Sequence, residues 1–249
     1  TQSFLFRLPA FKVIQKDFLD LRFNQGKKSN YLEKNQIQSK LKLENISFKY
    51  DQKEIINNLN FQFEIGKIYG IAGKSGSGKS TLLDIIMGLK KPSGGIIKLD
   101  EKVLNYEKDS WFNFFGYVPQ NVYLYDETII ENIGFGIEKK IIDIEKTNFS
   151  IEMASLKKFV NSLPNGLNTI VGEKGEKISG GQIQRIGIAR ALYNDPKILI
   201  LDEITSHLDD KTEQKIIDEL KKIKKNKVII FVTHNKKILD NFDDTLYLD

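Results

Sequence analysis

Gly73-Lys74-Ser75-Gly76-Ser77-Gly78-Lys79-Ser80, running on into Thr81-Leu82-Leu83, is the stretch that decides how the rest of the chain is read. Before it, Ile68 to Ala72 is an apolar run that predicts a buried strand. After it, Ser80 to Leu89 carries apolar residues at helical spacing. The order is strand, glycine-rich loop, helix. The pattern G-x-x-x-x-G-K-[ST] has a physical mechanism in that setting. Its glycines let backbone amides turn onto phosphate oxygens, Lys79 reaches the outer phosphates, and the Ser80 hydroxyl ligates Mg²⁺. The helix start adds its own positive end. The alternative is a turn that merely joins strand to helix, and the flanking context disfavours it. The stretch therefore implies a nucleoside triphosphate site.

A chain of 249 residues is long enough for a sizeable core, and α/β folds of this length often form one domain with two lobes. With no cysteine, a disulfide framework and a Cys-based zinc site are excluded, and a reducing compartment is compatible. Two histidines leave little for metal binding. No apolar run of about 18 residues and no signal-peptide pattern occurs. The chain opens at Thr1, which reads as a piece of a longer protein.

The formal charge of +5 is unevenly spread. Residues 1–40 hold Arg7, Lys12, Lys16, Arg22, Lys27, Lys28, Lys34 and Lys40 against Asp17, Asp20 and Glu33, so the whole excess sits there and the rest is balanced. A nucleic-acid-binding globule is expected to carry its basic excess on the folded domain, so that class is disfavoured. A membrane-adjacent leader and a solvated linker both remain open.

Within that leader Phe4, Leu8, Phe11, Ile14, Phe18 and Leu21 recur at helical steps interrupted by Pro9, and Asn24 to Lys40 reads as a polar linker. Leu41 to Tyr50 alternates, with Ile46, Phe48 and Tyr50 on one face, and Leu59, Phe61, Phe63 and Ile65 alternate again. Together they predict an antiparallel β lobe. Short strands follow at Ile96 to Leu99 and Phe115 to Val118. From Thr128 to about Leu163 the pattern turns helical, with Ile151, Ala154, Leu156, Phe159 and Val160 as one patch. Gln182 to Tyr193 and Thr212 to Lys225 predict helices, and Ile198 to Leu201 and Val228 to Val232 predict buried strands. Strands alternating with helices imply a parallel sheet whose carboxyl ends carry the chemistry.

Those ends hold Asp202-Glu203 and Thr233-His234. Neighbouring residues of a strand point to opposite sides, so the two acids are expected to divide their work. Asp202 would hold Mg²⁺ through its shell, and Glu203 would orient or deprotonate water for attack on the terminal phosphate. His234, at the same edge, could hold that water and Glu203 in line. His207 sits in a loop and reads as surface or interface.

Ile178-Ser179-Gly180-Gly181-Gln182-Ile183-Gln184-Arg185 is a second helix start behind glycines, and it resembles the signature of the ATP-binding cassette (ABC) ATPases. The resemblance runs from about Leu41 to the C-terminus. It implies a parallel-sheet core, an antiparallel β lobe and a helical signature subdomain over about residues 121–187, with a transmembrane end and linker at residues 1–40. It likens Tyr50 to the aromatic that stacks on adenine and Gly73 to Thr81 to the Walker A loop. Gln120 resembles the Q-loop glutamine that touches Mg²⁺ and the transport domain. Asp202 with Glu203 resembles Walker B and its catalytic glutamate, Ser206-His207-Leu208-Asp209 the D-loop, and His234 the switch histidine. ATP and Mg²⁺ are implied, and so is a second copy whose Ser179, Gly180, Gly181 and Gln182 complete the site head to tail.

Ile178 stands where the family usually has leucine, and His207 replaces a usually small residue, a change that bears on the dimer contact. Val171-Gly172-Glu173-Lys174-Gly175 looks like the X-loop of exporters, which contacts transmembrane helices. Tyr117-Val118-Pro119-Gln120-Asn121 and Gly187 to Tyr193 are similar to flippases for lipid-linked oligosaccharides. The resemblance thus implies an exporter ATPase at the cytoplasmic face of a membrane, moving a lipid-linked or amphipathic substrate. Soluble members are the alternative. DNA-repair types need a long coiled-coil insertion, for which residues 82–177 leave no room, and translation factors carry two cassettes in tandem.

Overall fold

The computed structural model describes residues 30–31, 39–106, 109–204 and 209–248. The expectations for residues 1–29 and for Ser206, His207 and Leu208 fall outside them; within the expected linker, Asn30–Tyr31 is a short strand paired in parallel with Asp109–Ser110.

Strand β3, Ile68–Gly73, is buried from Ile68 to Ala72, so it has no face to give to water and must lie inside a sheet. Numbering the strands in chain order, β1 is Lys40–Tyr50, β2 is Lys53–Glu64, β4 is Gly94–Leu99 and β5 is Lys102–Val103. Then come β6 (Phe115–Val118), β7 (Ile198–Asp202), β8 (Val228–Val232) and β9 (Asp244–Leu248). The core sheet has the order β9-β3-β8-β7-β6, and every neighbouring pair in it is parallel. All five residues of β8 and the first four of β7 are buried. Apolar runs without alternation are what a parallel sheet covered on both faces requires.

The two faces are covered differently, and the strand period of two sorts the residues. Ile68, Leu199, Leu201, Ile229 and Phe231 pack with the helices. Tyr69, Ile71, Ile198, Ile200, Val228 and Ile230 pack with the other lobe. Truncating any one of these buried side chains to Ala would cost about 2–5 kcal/mol. Strand β9 was not legible in the sequence. It is an edge strand in which Leu246 and Leu248 turn inward while Tyr247 is exposed.

The second lobe is the antiparallel sheet that alternation predicts, in the order β2-β1-β4-β5. The alternation slips first at Asn45. Asn45 adopts a φ of 53°, the pairing shifts between Leu43 and Ile46, and Leu41, Leu43 and Ile46 all end up buried. Asparagine tolerates that left-handed conformation better than most residues. Tyr50, expected to share a face with Ile46 and Phe48, lies beyond two further shifts and is exposed.

Helix α1, Lys79–Ile86, follows the glycine loop. The helical region contains α2 (Ile129–Ile133), α3 (Ile144–Met153), α4 (Lys157–Ser162) and α5 (Gly180–Tyr193). The helix-favouring residues from Ile151 to Val160 fall on two helices, α3 and α4, separated at Ser155, whose φ is 55°. Thr128 and Asp143 cap α2 and α3 through their side chains. Helix α6 spans Asp210–Ile223, starting earlier than its periodicity suggests. Asp209 sets that start by accepting the Thr212 amide at 2.9 Å. The short α7, Lys236–Leu239, precedes β9. Among the described residues no helix is long and apolar enough to cross a membrane.

Candidate nucleotide site

The register of the core sheet brings four chain segments to one edge. Val232 pairs with Asp202 and Val118 with Leu201, while Gly73 pairs with Leu248 at the end of β3. The residues that follow these positions are the glycine loop, Pro119-Gln120, Glu203 and Thr233-His234. A cavity of about 430 Å³ opens there, lined by Tyr50, Ile55, Ser75, Gly76, Gly78, Lys79, Ser80, Thr81, Gln120, Asp202 and Glu203. Ten of those eleven are site residues named from sequence; Ile55 on β2 is the addition.

The loop is built to present donors. Gly78 occupies the N-cap of α1 at a φ of 93° and offers no side-chain cap, so the first amides of the helix remain for a ligand. A side chain at Gly78 would be strained by that φ and would press on Ile55. Gly73 is glycine for another reason: a Cβ there would lie 2.3 Å from the Leu248 carbonyl oxygen. Lys79 is buried, and its Nζ donates to the carbonyls of Gly73 and Lys74, each at 2.9 Å, which holds the ammonium across the mouth of the loop. The Ser77 hydroxyl is buried without a hydrogen-bond partner among the described residues. An incoming phosphate oxygen can use that donor.

On the acidic side, Asp202 and Glu203 both line the cavity, and each meets its own partners there. Glu203 has left the strand, with a φ of 46° and its amide bonded to the Val232 carbonyl at 3.0 Å. A left-handed glutamate is uncommon, and such strain gathers at functional positions. Its carboxylate accepts from Gln120 Nε2 at 2.7 Å, and its other oxygen lies 3.8 Å from His234 Nδ1. Gln120, Glu203 and His234 thus form one cluster, although His234 does not itself line the cavity.

Asp202 carries a contact that sequence reasoning missed. Tyr117, one residue before the end of β6, donates its hydroxyl to Asp202 Oδ2 at 3.0 Å. Burial is the main influence on both groups, pushing the Asp202 carboxyl and the Tyr117 phenol up, and neighbouring Glu203 adds to the first. The signal was available, since Tyr117 lies on a strand that pairs with β7. A carboxylate raised by desolvation gains from a nearby cation.

The donors suit one kind of ion. Among the described residues no cluster of three His, Cys, Asp or Glu side chains occurs, so no all-protein cage is present. The Ser80 hydroxyl, the Gln120 amide and the Asp202 carboxylate share the cavity instead. One hydroxyl, one carboxylate and a neutral amide fit Mg²⁺, which keeps several waters and takes phosphate oxygens as ligands.

Ser179, Gly180, Gly181 and Gln182 do not line this cavity. Ser179 and Gly180 are exposed at the start of α5. A capping box joins them to the helix: Ser179 Oγ accepts from the Gln182 amide at 3.3 Å, and Gln182 Oε1 accepts from the Ser179 amide at 2.8 Å. Further along α5, Gln184 donates to the Pro119 carbonyl at 3.4 Å and Arg190 to that of Tyr123 at 2.9 Å. The helix that bears the exposed glycines is therefore clamped to the segment around Gln120. Asp209, the described member of the Ser206–Asp209 stretch, acts as the cap of α6.

The chain is 39% identical over 206 residues to the ATP-dependent lipid A-core flippase of Idiomarina loihiensis, covering 82% of this chain and 35% of that protein. It is 37% identical over 217 residues to the leukotoxin translocation ATP-binding protein LktB of Mannheimia glucosida, covering 86% and 30%. A solved bacterial Atm1-family ABC exporter with ATP bound superposes with a TM-score of 0.77 at 32% identity, over 85% of this chain and 37% of that one. The chain thus spans about a third of the length of these proteins. Residues 56–206, which include the glycine loop, Gln120, the Ser179–Gln182 stretch and Asp202-Glu203, match the family described as ABC transporter, and the chain belongs to that family.

Proposed function

We propose that this chain is the ATP-hydrolysing part of an exporter or flippase, working as a head-to-tail pair that closes on two ATP molecules. The observation that carries the reading is the division of the donors. Lys79, Ser80, Gln120, Asp202 and Glu203 converge on one cavity, whereas Ser179 to Gln182 lie outside it, with Ser179 and Gly180 exposed. A second copy offers what this cavity lacks, a second helix start for the outer phosphate.

In that reading the amides of Gly76 to Ser80 and the Lys79 ammonium hold the phosphates, and Tyr50 stacks on the base. Ser80, Asp202 and Gln120 hold Mg²⁺, which when bound neutralises charge on the outer phosphates. Glu203, kept in place by Gln120 and faced by His234, accepts a proton from the attacking water. The partner of each pair is a membrane-spanning portion, as the lengths and names of the relatives support, at the inner face of a cell membrane. Tyr123, Tyr125 and Phe135 form an exposed aromatic ladder beside Gln120, a surface suited to that contact. One relative is named for lipid A-core and another for leukotoxin, so the cargo is left to the membrane portion; a lipid-linked or amphipathic cargo remains the reading from sequence.

Replacing Glu203 by Gln keeps shape and removes the base. Hydrolysis should fall about 10²- to 10⁴-fold, and the variant should elute as a dimer only with ATP and Mg²⁺. Undiminished hydrolysis would remove Glu203 from the mechanism.

A further inference from the structure

Lys90 lies four residues beyond the end of α1 and makes contacts that phosphate binding does not require. Its ammonium donates to the Tyr50 hydroxyl at 2.6 Å and to Asp84 Oδ2 at 2.8 Å. The same Nζ sits 5.3 Å from the centre of the Tyr50 ring. The ring also meets that of Phe48 in an edge-to-face arrangement, with centroids 5.0 Å apart. Tyr50 ends β1 and lines the base side of the cavity, while Asp84 belongs to the helix that begins at Lys79. A tyrosine 46% exposed at a strand end is otherwise free to change rotamer. Here the ring packs against Phe48, and its hydroxyl is moored to α1 through Lys90, itself held by Asp84, with Thr81 of the same helix as a lesser partner.

We propose that Lys90, held by Asp84, is a positioning residue that fixes the Tyr50 ring as the platform for the nucleobase, so that one helix sets both the phosphate end and the base end of the ligand. This rests on the reading of the cavity as a triphosphate site with Tyr50 stacking on the base. The exposed ion pair contributes little by itself. Its effect is to order the ring before the ligand arrives, which spares binding the cost of immobilising one side chain. Asp84, the first influence, and then Tyr50 hold Lys90 more firmly protonated than usual, so the mooring persists at neutral pH.

The test is equilibrium binding of ATP, GTP and inorganic tripolyphosphate, each with Mg²⁺, to the 249-residue chain. Lys90→Met should weaken ATP and GTP roughly three- to ten-fold while leaving tripolyphosphate, which has no base, unchanged. Tyr50→Phe keeps the ring but not the hydroxyl. It should show a similar loss, and the double variant should lose no more than either single one. Lys90→Arg should restore binding. An unchanged ATP affinity in Lys90→Met, or an equal loss for tripolyphosphate, overturns the proposal. Tyr50→Ala separates the two levels. If it loses ATP while Lys90→Met does not, the platform stands without its mooring; if it too keeps full ATP affinity, the stacking role itself falls.

Discussion

Two helices of this protein start behind glycines, and they start differently. Helix α1 begins at Gly78 in a left-handed conformation with no side-chain cap, beside a buried lysine and a buried, unpartnered serine hydroxyl. Helix α5 begins at Ser179 with a complete capping box on an exposed surface. The first leaves its amides open and walls them in, at the cost of a helix end that no side chain among the described residues caps. The second satisfies part of its own end and stays stable in water. The contrast separates a helix start committed to a ligand from one that waits for a surface to meet it.

That difference predicts unequal responses to substitution. Lys79→Ala removes the charge nearest the uncapped end, and ATP affinity measured by titration should fall roughly 10- to 100-fold, the size expected for a charge-assisted hydrogen bond. Affinity close to that of the parent would mean that α1 is no more a phosphate site than α5. A smaller effect is expected at the other helix. Ser179→Ala deletes a cap and should lower stability to urea by about 1 kcal/mol, with the ATP affinity of a single chain unchanged. A loss of single-chain affinity would place Ser179 in the same cavity as Lys79 and abolish the distinction.

The phosphate side of the site could be read from sequence because each part was local. A loop of glycines, a lysine and a serine between an apolar strand and a helix has few other uses, and ten named residues meet in one cavity. The apolar runs of β3, β7 and β8 announced a covered parallel sheet in the same way. What stayed hidden depended on backbone turns and on pairing between distant strands. The left-handed turn at Glu203 brings it alongside Asp202, and Asn45 shifts the register of β1. The Tyr117 bond to Asp202 and the Lys90 bond to Tyr50 join residues 85 and 40 positions apart. Strand β9 was hidden because an edge strand needs only two inward leucines.

The central claim is that one chain holds half of a site. Lys79→Ala has a damaged loop and an intact α5 start, whereas Ser179→Tyr has an intact loop and an obstructed α5 start. Both are prepared on the Glu203→Gln background, and dimer formation with ATP and Mg²⁺ is followed by light scattering. Neither variant should pair alone and an equimolar mixture should, since one complete site forms between the sound loop of one copy and the sound helix start of the other. Pairing by each variant alone, or a mixture that stays monomeric while the Glu203→Gln parent pairs, would contradict it.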